Sequence, residues 1–232
     1  MSHDRSETLP TPSQRLQFYG RRKGRPLRAS MQRLLDEALP DLTFDPASAL
    51  QRQFGRSADC FLEIGFGGGE HLAGLAAMRP QDDFIGAEPF VNGVASLLRH
   101  VMAQGLTNIR VWPDDVRLIL SSLPQGHLAG AYIMFPDPWP KRRHSARRIL
   151  QPQILNQLAA LIRPSGQLVL ASDDATAKSW LLQAAMAHPA FVWQARRPQD
   201  WQERPSGLPE TRYMKKGDKE GRHSSWFVFN RI

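Results

Sequence analysis

The sequence has almost no cysteine and no long apolar run, and each absence excludes a class of protein. The single cysteine, Cys60, excludes an internal disulfide framework and is typical of a reducing cytoplasm. No apolar stretch approaches the roughly 18 residues that a membrane-spanning helix needs, and residues 1–12 lack the apolar core of a signal peptide. No clustering of Cys and His predicts a metal site. We therefore expect a cytoplasmic protein that uses neither a membrane nor a metal.

Positive charge is in excess, and it is distributed unevenly along the chain. The net charge is +8, and residues 1–30 hold seven Lys or Arg against two acids. Residues 59–140 instead hold four Arg against nine acids, and residues 141–148 then add five positive charges and no acid. Basic surfaces attract phosphate backbones. From composition alone, a solvated arginine-rich face explains the basic segments equally well.

The first thirty residues differ from the rest of the chain. They combine proline and glycine with many arginines, and they show no periodic apolar face. We interpret residues 1–30 as a flexible basic arm and residues 31–232 as one folded domain.

The folded part alternates short apolar runs with amphipathic segments. Strands are predicted at residues 59–64, 83–88, 108–112, 129–135, 167–172, 191–194 and 226–230. Helices are predicted at residues 30–39, 70–78, 91–104, 116–123, 147–162 and 176–187. This alternation implies right-handed crossovers and an α/β fold with a doubly wound, mostly parallel sheet. The last two strands lack a helix between them, which allows an antiparallel pair.

A glycine-rich loop follows the first predicted strand. Gly65, Gly67 and Gly69 let the backbone turn tightly and approach a ligand, and the next helix presents free N–H groups to it. A dinucleotide site uses the same geometry for a pyrophosphate. Glu63 precedes this loop, and a carboxylate there would repel a pyrophosphate but accept hydrogen bonds from an ammonium group. The pattern favours S-adenosyl-L-methionine over NAD.

Two further acids end neighbouring strands. Glu88 ends the second strand, where nucleotide-binding α/β folds place an acid that binds a ribose diol. Asp115 follows the third strand, at the position where it would meet the adenine amino group or fix its own loop. Each residue taken alone is equally typical of a helix N-cap. Together with Glu63, they predict a cofactor site at the carboxyl edge of the sheet.

A proline-rich loop follows the fourth strand. Residues 135–148 read Phe-Pro-Asp-Pro-Trp-Pro-Lys-Arg-Arg-His-Ser-Ala-Arg-Arg. Three alternating prolines exclude a helix or a central strand and predict a rigid loop at the sheet edge. The loop would hold Asp137 in fixed geometry beside Trp139 and a cationic tail. Trp139 suits stacking on an exposed base or packing against the sheet.

With this run, the chain resembles the tRNA (guanine-N7-)-methyltransferase family. The resemblance extends from about residue 18 to the end of the chain. It includes the motifs Leu62-Glu-Ile-Gly-Phe-Gly, Ile85-Gly-Ala-Glu, Ser172-Asp and Thr211-Arg-Tyr. It implies a Rossmann-like class I methyltransferase fold, S-adenosyl-L-methionine as cofactor, and methylation of guanine N7 at position 46 in the variable loop of tRNA.

The resemblance also implies roles for individual residues. Asp137 would be catalytic. The cofactor would be bound by Glu63, Gly65, Gly67, Glu88, Asp115 and Asp137. The substrate would be bound by Lys141, Asp173, Thr211, Arg212 and Tyr213. One residue departs from the family pattern, because Met214 stands where the family has Glu, and a thioether cannot replace a hydrogen-bonding carboxylate. A nearby acid, Glu210 or Asp218, would have to substitute, or guanine recognition would be altered.

Two other functions compete with an RNA methyltransferase. The first is a non-catalytic tRNA-binding protein that keeps the fold, and Met214 is its best argument. The intact Glu63, Glu88 and Asp137 argue against it, because a pure binder needs no cofactor pocket. The second is a NAD-dependent oxidoreductase, which Glu63 and the basic flank disfavour. The oligomeric state is left open by the sequence.

Overall fold

The structure, a computed structural model, describes residues 19–232. The strands are β1 (Cys60–Ile64), β2 (Asp83–Ala87), β3 (Ile109–Trp112), β4 (Leu128–Met134), β5 (Ile162–Ser172), β6 (Phe191–Trp193) and β7 (Ser225–Arg231). The helices are α1 (Ala29–Glu37), α2 (Leu39–Leu42), α3 (Leu50–Phe54), α4 (Glu70–Met78), α5 (Val91–Gln104), α6 (Pro152–Leu161), α7 (Ala175–Met186), α8 (Gln199–Gln202) and α9 (Arg212–Lys219).

The seven strands form one sheet in the order β3-β2-β1-β4-β5-β7-β6. β1 to β5 pair in parallel, whereas β7 pairs antiparallel with both β5 and β6. The predicted α/β class and the antiparallel end of the sheet are therefore confirmed. Among residues 19–232, no helix is long and apolar enough to cross a membrane.

Helices cover both faces of the sheet. On one face, apolar residues of α4 and α5 form a buried cluster with Phe61 and Phe84. On the other face, α6 and α7 bury apolar side chains against Leu62 and Leu170. Because successive strand residues point to opposite faces, β1 supplies Phe61 to one cluster and Leu62 to the other. This two-sided burial explains why the central parallel strands β1 and β4 are almost entirely apolar, with Glu63 as the charged exception.

Three predicted segments differ from the structure. The helix expected at residues 116–123 is two short 3₁₀ turns, Val116–Leu118 and Leu120–Ser122. The helix expected to start at residue 147 begins at Pro152, because proline forces the preceding Gln151 into an extended conformation and is itself well suited to a first helical position. The strand predicted at residues 167–172 begins earlier, at Ile162. Residues 163–166 form an irregularity inside it, where Ser165 has a φ of 65°.

Candidate active site

A cleft of about 790 Å³ lies at the carboxyl ends of the parallel strands. Its volume falls within the range of small-molecule and cofactor sites. Five residues predicted to bind the cofactor line it: Gly65, Gly67, Glu88, Asp115 and Asp137. The sixth, Glu63, does not reach its surface, and neither do the predicted substrate residues Lys141, Asp173, Thr211, Arg212 and Tyr213.

The glycine loop is the floor of this cleft. Gly65 and Gly67 have φ values of 73° and 54°, a left-handed conformation that glycine adopts without strain. The Gly65 N–H donates to the Ala87 carbonyl at 2.8 Å, which ties the loop to the end of β2. A β-carbon added at either glycine would meet no other atom of the described chain within 4 Å. The loop therefore presents open backbone to a ligand.

Glu88 holds the loop from the end of β2. Its Oε2 accepts a hydrogen bond from the Gly67 N–H at 2.8 Å, and its Oε1 accepts one from the Phe90 N–H at 2.9 Å. Burial raises the pKa of Glu88, the hydrogen bonds from Phe90 and Gly67 oppose this rise, and repulsion by Asp137 and Glu63 adds to it. Each carboxylate oxygen can accept a second hydrogen bond, so Glu88 can still meet a diol in the cleft.

Glu63 lies behind the loop, fully buried. Its Oε2 is 2.8 Å from Nδ1 of His71, which is buried in the first turn of α4. The His71 ring packs edge-on against Tyr132, with the ring centroids 5.4 Å apart. His71 was not predicted as a partner of Glu63, although its position as the second residue of the helix after the glycine loop was a usable signal. A role for Glu63 toward the cofactor's ammonium stays a prediction.

Asp115 caps a turn and also lines the cleft, and its contact with adenine stays a prediction. It is the N-cap of the first 3₁₀ turn, where it accepts a hydrogen bond from the Arg117 N–H at 3.0 Å. It also lines the cleft. Its carboxylate receives Arg117 Nε at 3.0 Å on both oxygens, which fixes the orientation of Asp115.

The proline-rich loop forms another part of the wall of the cleft. Phe135 and Trp139 both adopt left-handed backbone conformations, with φ values of 52° and 40°, which non-glycine residues adopt only when their surroundings hold them. The Phe135 N–H donates to the Ala171 carbonyl at 2.8 Å. The carbonyl of Trp139 accepts from Nη2 of Arg148 at 3.2 Å. These contacts hold the loop at both ends, with the exposed Asp137 between them.

The basic tail that follows divides into two groups. Lys141, Arg142 and Arg143 are exposed at the start of a 3₁₀ helix (Arg142–Arg147). Arg147 instead stacks on the half-buried Trp139, with its guanidinium 5.0 Å from the ring centroid. The tail is therefore partly a packed extension of the loop and partly a free cationic surface.

A short segment before α1 closes the cleft on one side. Tyr19 and Arg21 line it, and the Arg22 guanidinium is 2.8 Å from Asp114. Asn92 fastens the segment, because its Oδ1 accepts from the Gly24 N–H and its Nδ2 donates to the Arg25 carbonyl, each at 2.8 Å. Residues 1–18 of the predicted arm lie outside the described residues. The sequence offered only the basic composition of this segment as a signal.

Two of the predicted substrate residues, Asp173 and Tyr213, are in contact at the carboxyl end of β5. Oδ1 of Asp173 accepts a hydrogen bond from the Tyr213 hydroxyl at 3.1 Å, and its Oδ2 pairs with Arg222 at 2.6 Å. The Tyr213 ring packs on Phe135 with the ring centroids 5.1 Å apart. Arg222 was not predicted, because nothing local in the sequence marks it as a partner of Asp173.

The remaining members of this segment are engaged within the protein. Thr211 is the buried N-cap of α9 and accepts from the Met214 N–H at 3.2 Å. Met214 packs in the core. Neither suggested substitute acid takes its place, since Glu210 pairs with Lys215 at 3.1 Å on the surface and Asp218 is exposed.

The chemistry of the cleft suits a cationic, ribose-containing cofactor. Open glycine backbone lies beside the buried carboxylate of Glu88, and Asp115 and Asp137 also line the cleft. Four arginines share this lining: Arg21, Arg117, Arg147 and Arg148. The carboxylates can accept hydrogen bonds from hydroxyl or ammonium groups of such a cofactor. No group of three or more Asp, Glu, His or Cys within residues 19–232 has a geometry that would hold a metal ion.

Comparison with known proteins identifies the family. A family model described as "Putative methyltransferase" matches residues 57–226. A tRNA (guanine-N(7)-)-methyltransferase of Rhodospirillum rubrum is 47% identical over 228 residues, which cover 95% of this chain and 89% of that protein. The corresponding protein of Mesorhizobium japonicum is 42% identical over 219 residues, covering 92% and 94%. The chain belongs to the tRNA (guanine-N7-)-methyltransferase family. It is a methyltransferase that uses S-adenosylmethionine as the methyl donor.

Solved structures support the methyltransferase fold independently. The 16S rRNA methyltransferase KamB superposes with a TM-score of 0.56 at 15% identity, covering 82% of this chain and 95% of that one. The antibiotic-resistance methyltransferase Kmr gives a TM-score of 0.55 at 19% identity, covering 82% and 94%. At this identity the likeness concerns the fold alone.

Replacing Gly93 by alanine is expected to lower the methyltransferase's affinity for its cofactor about tenfold. The added methyl carbon would lie 2.3 Å from the Gly67 carbonyl oxygen, so the glycine loop would have to move. Gly68→Ala is the matched control, because its nearest heavy atom, Oγ of Ser96, would be 3.9 Å away. Calorimetric titration with S-adenosylhomocysteine measures both affinities, and equal values for the two variants would contradict this account of the loop.

Cofactor affinity is expected to fall on mild acidification, because the pKa of Glu88 is raised. The charged carboxylate accepts hydroxyl hydrogen bonds, so affinity is complete above this pKa and is lost as the pH falls through it. An ordinary glutamate would show this loss only near its usual value of about 4.3. Titrations at decreasing pH measure the effect. Glu88→Gln should bind more weakly with a flatter pH profile, and an equally steep profile in that variant would exclude Glu88 as the titrating group.

Proposed function

We propose that this methyltransferase transfers the methyl group of S-adenosylmethionine to N7 of the variable-loop guanine, position 46, of tRNA. The observation that carries the proposal is the position of Asp137. This residue lines the cleft and stands four positions before the exposed cations that begin at Lys141. One end of the loop thus faces a cofactor site and the other faces solvent with positive charge. The relatives named above are tRNA (guanine-N(7)-)-methyltransferases, and we place the reaction in the cytoplasm.

The chemistry needs few groups from the protein. When bound, S-adenosylmethionine supplies a methyl group activated by a sulfonium. Guanine N7 carries a lone pair and no proton, so no general base is required. The bond from N7 to the methyl carbon forms as the carbon–sulfur bond breaks, and positive charge passes to the purine. The Asp137 carboxylate, held by its rigid loop, is positioned to stabilise that charge.

The cofactor side of the reaction is assigned to the residues around the glycine loop. Gly65 and Gly67 give the backbone its close approach, and Glu88 would accept the ribose hydroxyls. Asp115 would act at the far rim, with its orientation fixed by Arg117. Glu63 would act on the ammonium group of the cofactor from behind the loop. Alignment of the methyl group with N7 by this framework is worth several kcal/mol of the barrier.

The substrate side is assigned to the residues beside the proline-rich loop. Lys141 is exposed and suits a phosphate contact. Asp173 and Tyr213 form a hydrogen-bonded pair next to Phe135, which suits the edge and face of a purine. Thr211 supports this pair from the N-cap of α9. We further propose the folded domain as residues 31–232, with residues 1–30 as a basic arm.

Methylation of an unmodified tRNA transcript tests the proposal. Protein, transcript and methyl-labelled cofactor should give one labelled position, located by chemical cleavage of the chain at N7-methylguanine. Tight binding of both cofactor and tRNA without transfer would instead support the non-catalytic tRNA-binding alternative. Label at another base would refute the assignment of the acceptor.

A further inference from the structure

The carboxylate of Glu70 joins two helices that are far apart in sequence. Glu70 is the first residue of α4 and follows the glycine loop directly. Its Oε2 accepts a hydrogen bond from the Arg212 N–H at 2.7 Å, and its Oε1 pairs with the Arg212 guanidinium. The contact spans 142 positions of sequence and connects the cofactor loop with the first turn of α9.

This contact completes the N-terminal cap of α9. The first N–H groups of a helix have no partner within it. Thr211 satisfies the Met214 N–H from within the segment, and Glu70 satisfies the Arg212 N–H from outside it. A negative charge is favourable at both helix N-termini. Burial alone would raise the pKa of Glu70, but hydrogen bonds from the Arg212 amide and guanidinium, and the charge of Arg212, hold it below its ordinary value.

The packing around Glu70 leaves little freedom. Its side chain is 22% exposed. One turn further along α4, a β-carbon added at Gly74 would lie 2.7 Å from Cβ of Pro209, so the helix packs closely on the chain that leads into α9. The first turn of α9 is thereby fixed to α4 by an ion pair, a backbone hydrogen bond and close packing.

The same turn carries Tyr213 on its other side. The Tyr213 hydroxyl donates to Asp173 at 3.1 Å, and its ring packs on Phe135, two residues before Asp137. The first turn of α9 therefore bridges the glycine loop and the proline-rich loop.

We propose that Glu70 is a positioning residue for methyl transfer: through Arg212 it fixes the first turn of α9, and so Tyr213, relative to the cofactor loop. This inference rests on the proposed function, since it concerns the alignment of substrate with cofactor. It changes the role implied for Arg212 by family resemblance, because its guanidinium is engaged with Glu70. Arg212, whose side chain is 75% exposed, acts here through an intramolecular ion pair at the surface.

A double-mutant cycle tests the contact between Glu70 and Arg212. Glu70→Ala, Arg212→Ala and the double variant are compared by kcat and KM for tRNA methylation. Each single change should lower kcat about tenfold, and the double variant should be no slower than either, because both remove one interaction. The kcat of Glu70→Gln should lie between those of wild type and Glu70→Ala, since the amide oxygen of glutamine accepts one hydrogen bond but carries no charge. Cofactor affinity should stay within about twofold of wild type in all of them.

A matched control removes a comparable ion pair elsewhere. Asp59→Asn breaks the exposed pair with Arg163, at 2.6 Å, beside the amino end of β1 and away from the cleft. Its kcat should equal that of wild type. Thermal unfolding of every variant separates positioning from stability: a lowered midpoint with unchanged kcat in Glu70→Ala would mean a purely structural role and would overturn the proposal.

Independent losses of kcat would also overturn the proposal. If the kcat of the double variant falls about a hundredfold, the product of the two single losses, then the two residues act separately. A weaker salt dependence of tRNA binding in Arg212→Ala alone would show that Arg212 contacts a phosphate. Failure of the proposed function is distinguishable from failure of this proposal. Wild type would then bind tRNA without methylating it, and the double-mutant cycle would be measured by tRNA dissociation constants.

Discussion

Replacing Asp137 by alanine is expected to slow methyl transfer to tRNA about a thousandfold. The carboxylate lies at the rim of the cleft, close enough to Glu88 that their repulsion contributes to the raised pKa of Glu88. The flanking residues Phe135 and Trp139 have unusual backbone conformations, so the backbone that carries the charge is constrained. Positive charge reaches the purine in the transition state, and a carboxylate already in place stabilises it without reorganisation.

The rate in a single turnover at saturating cofactor and tRNA measures this effect. Asp137→Asn retains the shape and loses the charge, so we expect it to be nearly as slow as the alanine variant. Asp41→Asn, an exposed acid on α2, should equal wild type. Affinity for tRNA should change little in all three variants. An Asp137→Asn enzyme within about threefold of wild type would mean that the charge at this position does not contribute to catalysis.

Replacing Arg142 and Arg143 together is expected to weaken tRNA binding about a hundredfold at low salt. Both side chains are exposed at the start of the basic tail, whereas Arg147 and Arg148 are half-buried. Arg148 donates to the Trp139 carbonyl, so substituting it would also disturb the loop. The first pair therefore isolates the phosphate contacts from the packing of the loop.

The dependence of the tRNA dissociation constant on salt provides the measurement. Each lost phosphate contact should reduce the slope of log affinity against log salt by about 0.7 to 0.9. The matched control is the double variant Arg52→Ala with Arg163→Ala, because both side chains are exposed. Arg52 lies on α3, which borders the residues leading into β4, and Arg163 lies near the amino end of β5. An unchanged slope in the Arg142 and Arg143 variant would mean that these arginines only cover the surface.

Local patterns were sufficient to predict much of this fold. The bounds of α4 and α5 match the predicted helices, because each ends at a clear stop, proline or glycine, and α5 also has apolar periodicity. Residues 116–123 have apolar spacing too, but Pro113 and Pro124 confine them to a segment that forms only 3₁₀ turns. α6 follows several basic residues, and its first residue is set by Pro152 and not by the spacing of its apolar residues.

The candidate site was predictable where strand ends determine it. Glu88, Asp115 and Asp137 converge because parallel strands bring their carboxyl ends to one edge. Contacts made by tertiary packing were not predictable in this way. The pairs of Glu63 with His71, Glu70 with Arg212 and Asp173 with Arg222 depend on how helices lie across the sheet.

The acceptor atom is the central claim, and one substituted tRNA tests it most directly. A tRNA in which only the variable-loop guanine carries carbon and hydrogen in place of N7 keeps its pairing edge and every phosphate. We expect the wild-type enzyme to methylate the unsubstituted tRNA once and to transfer no label to the substituted one, while binding both with equal affinity. Equal labelling of the two tRNAs would mean that N7 is not the acceptor.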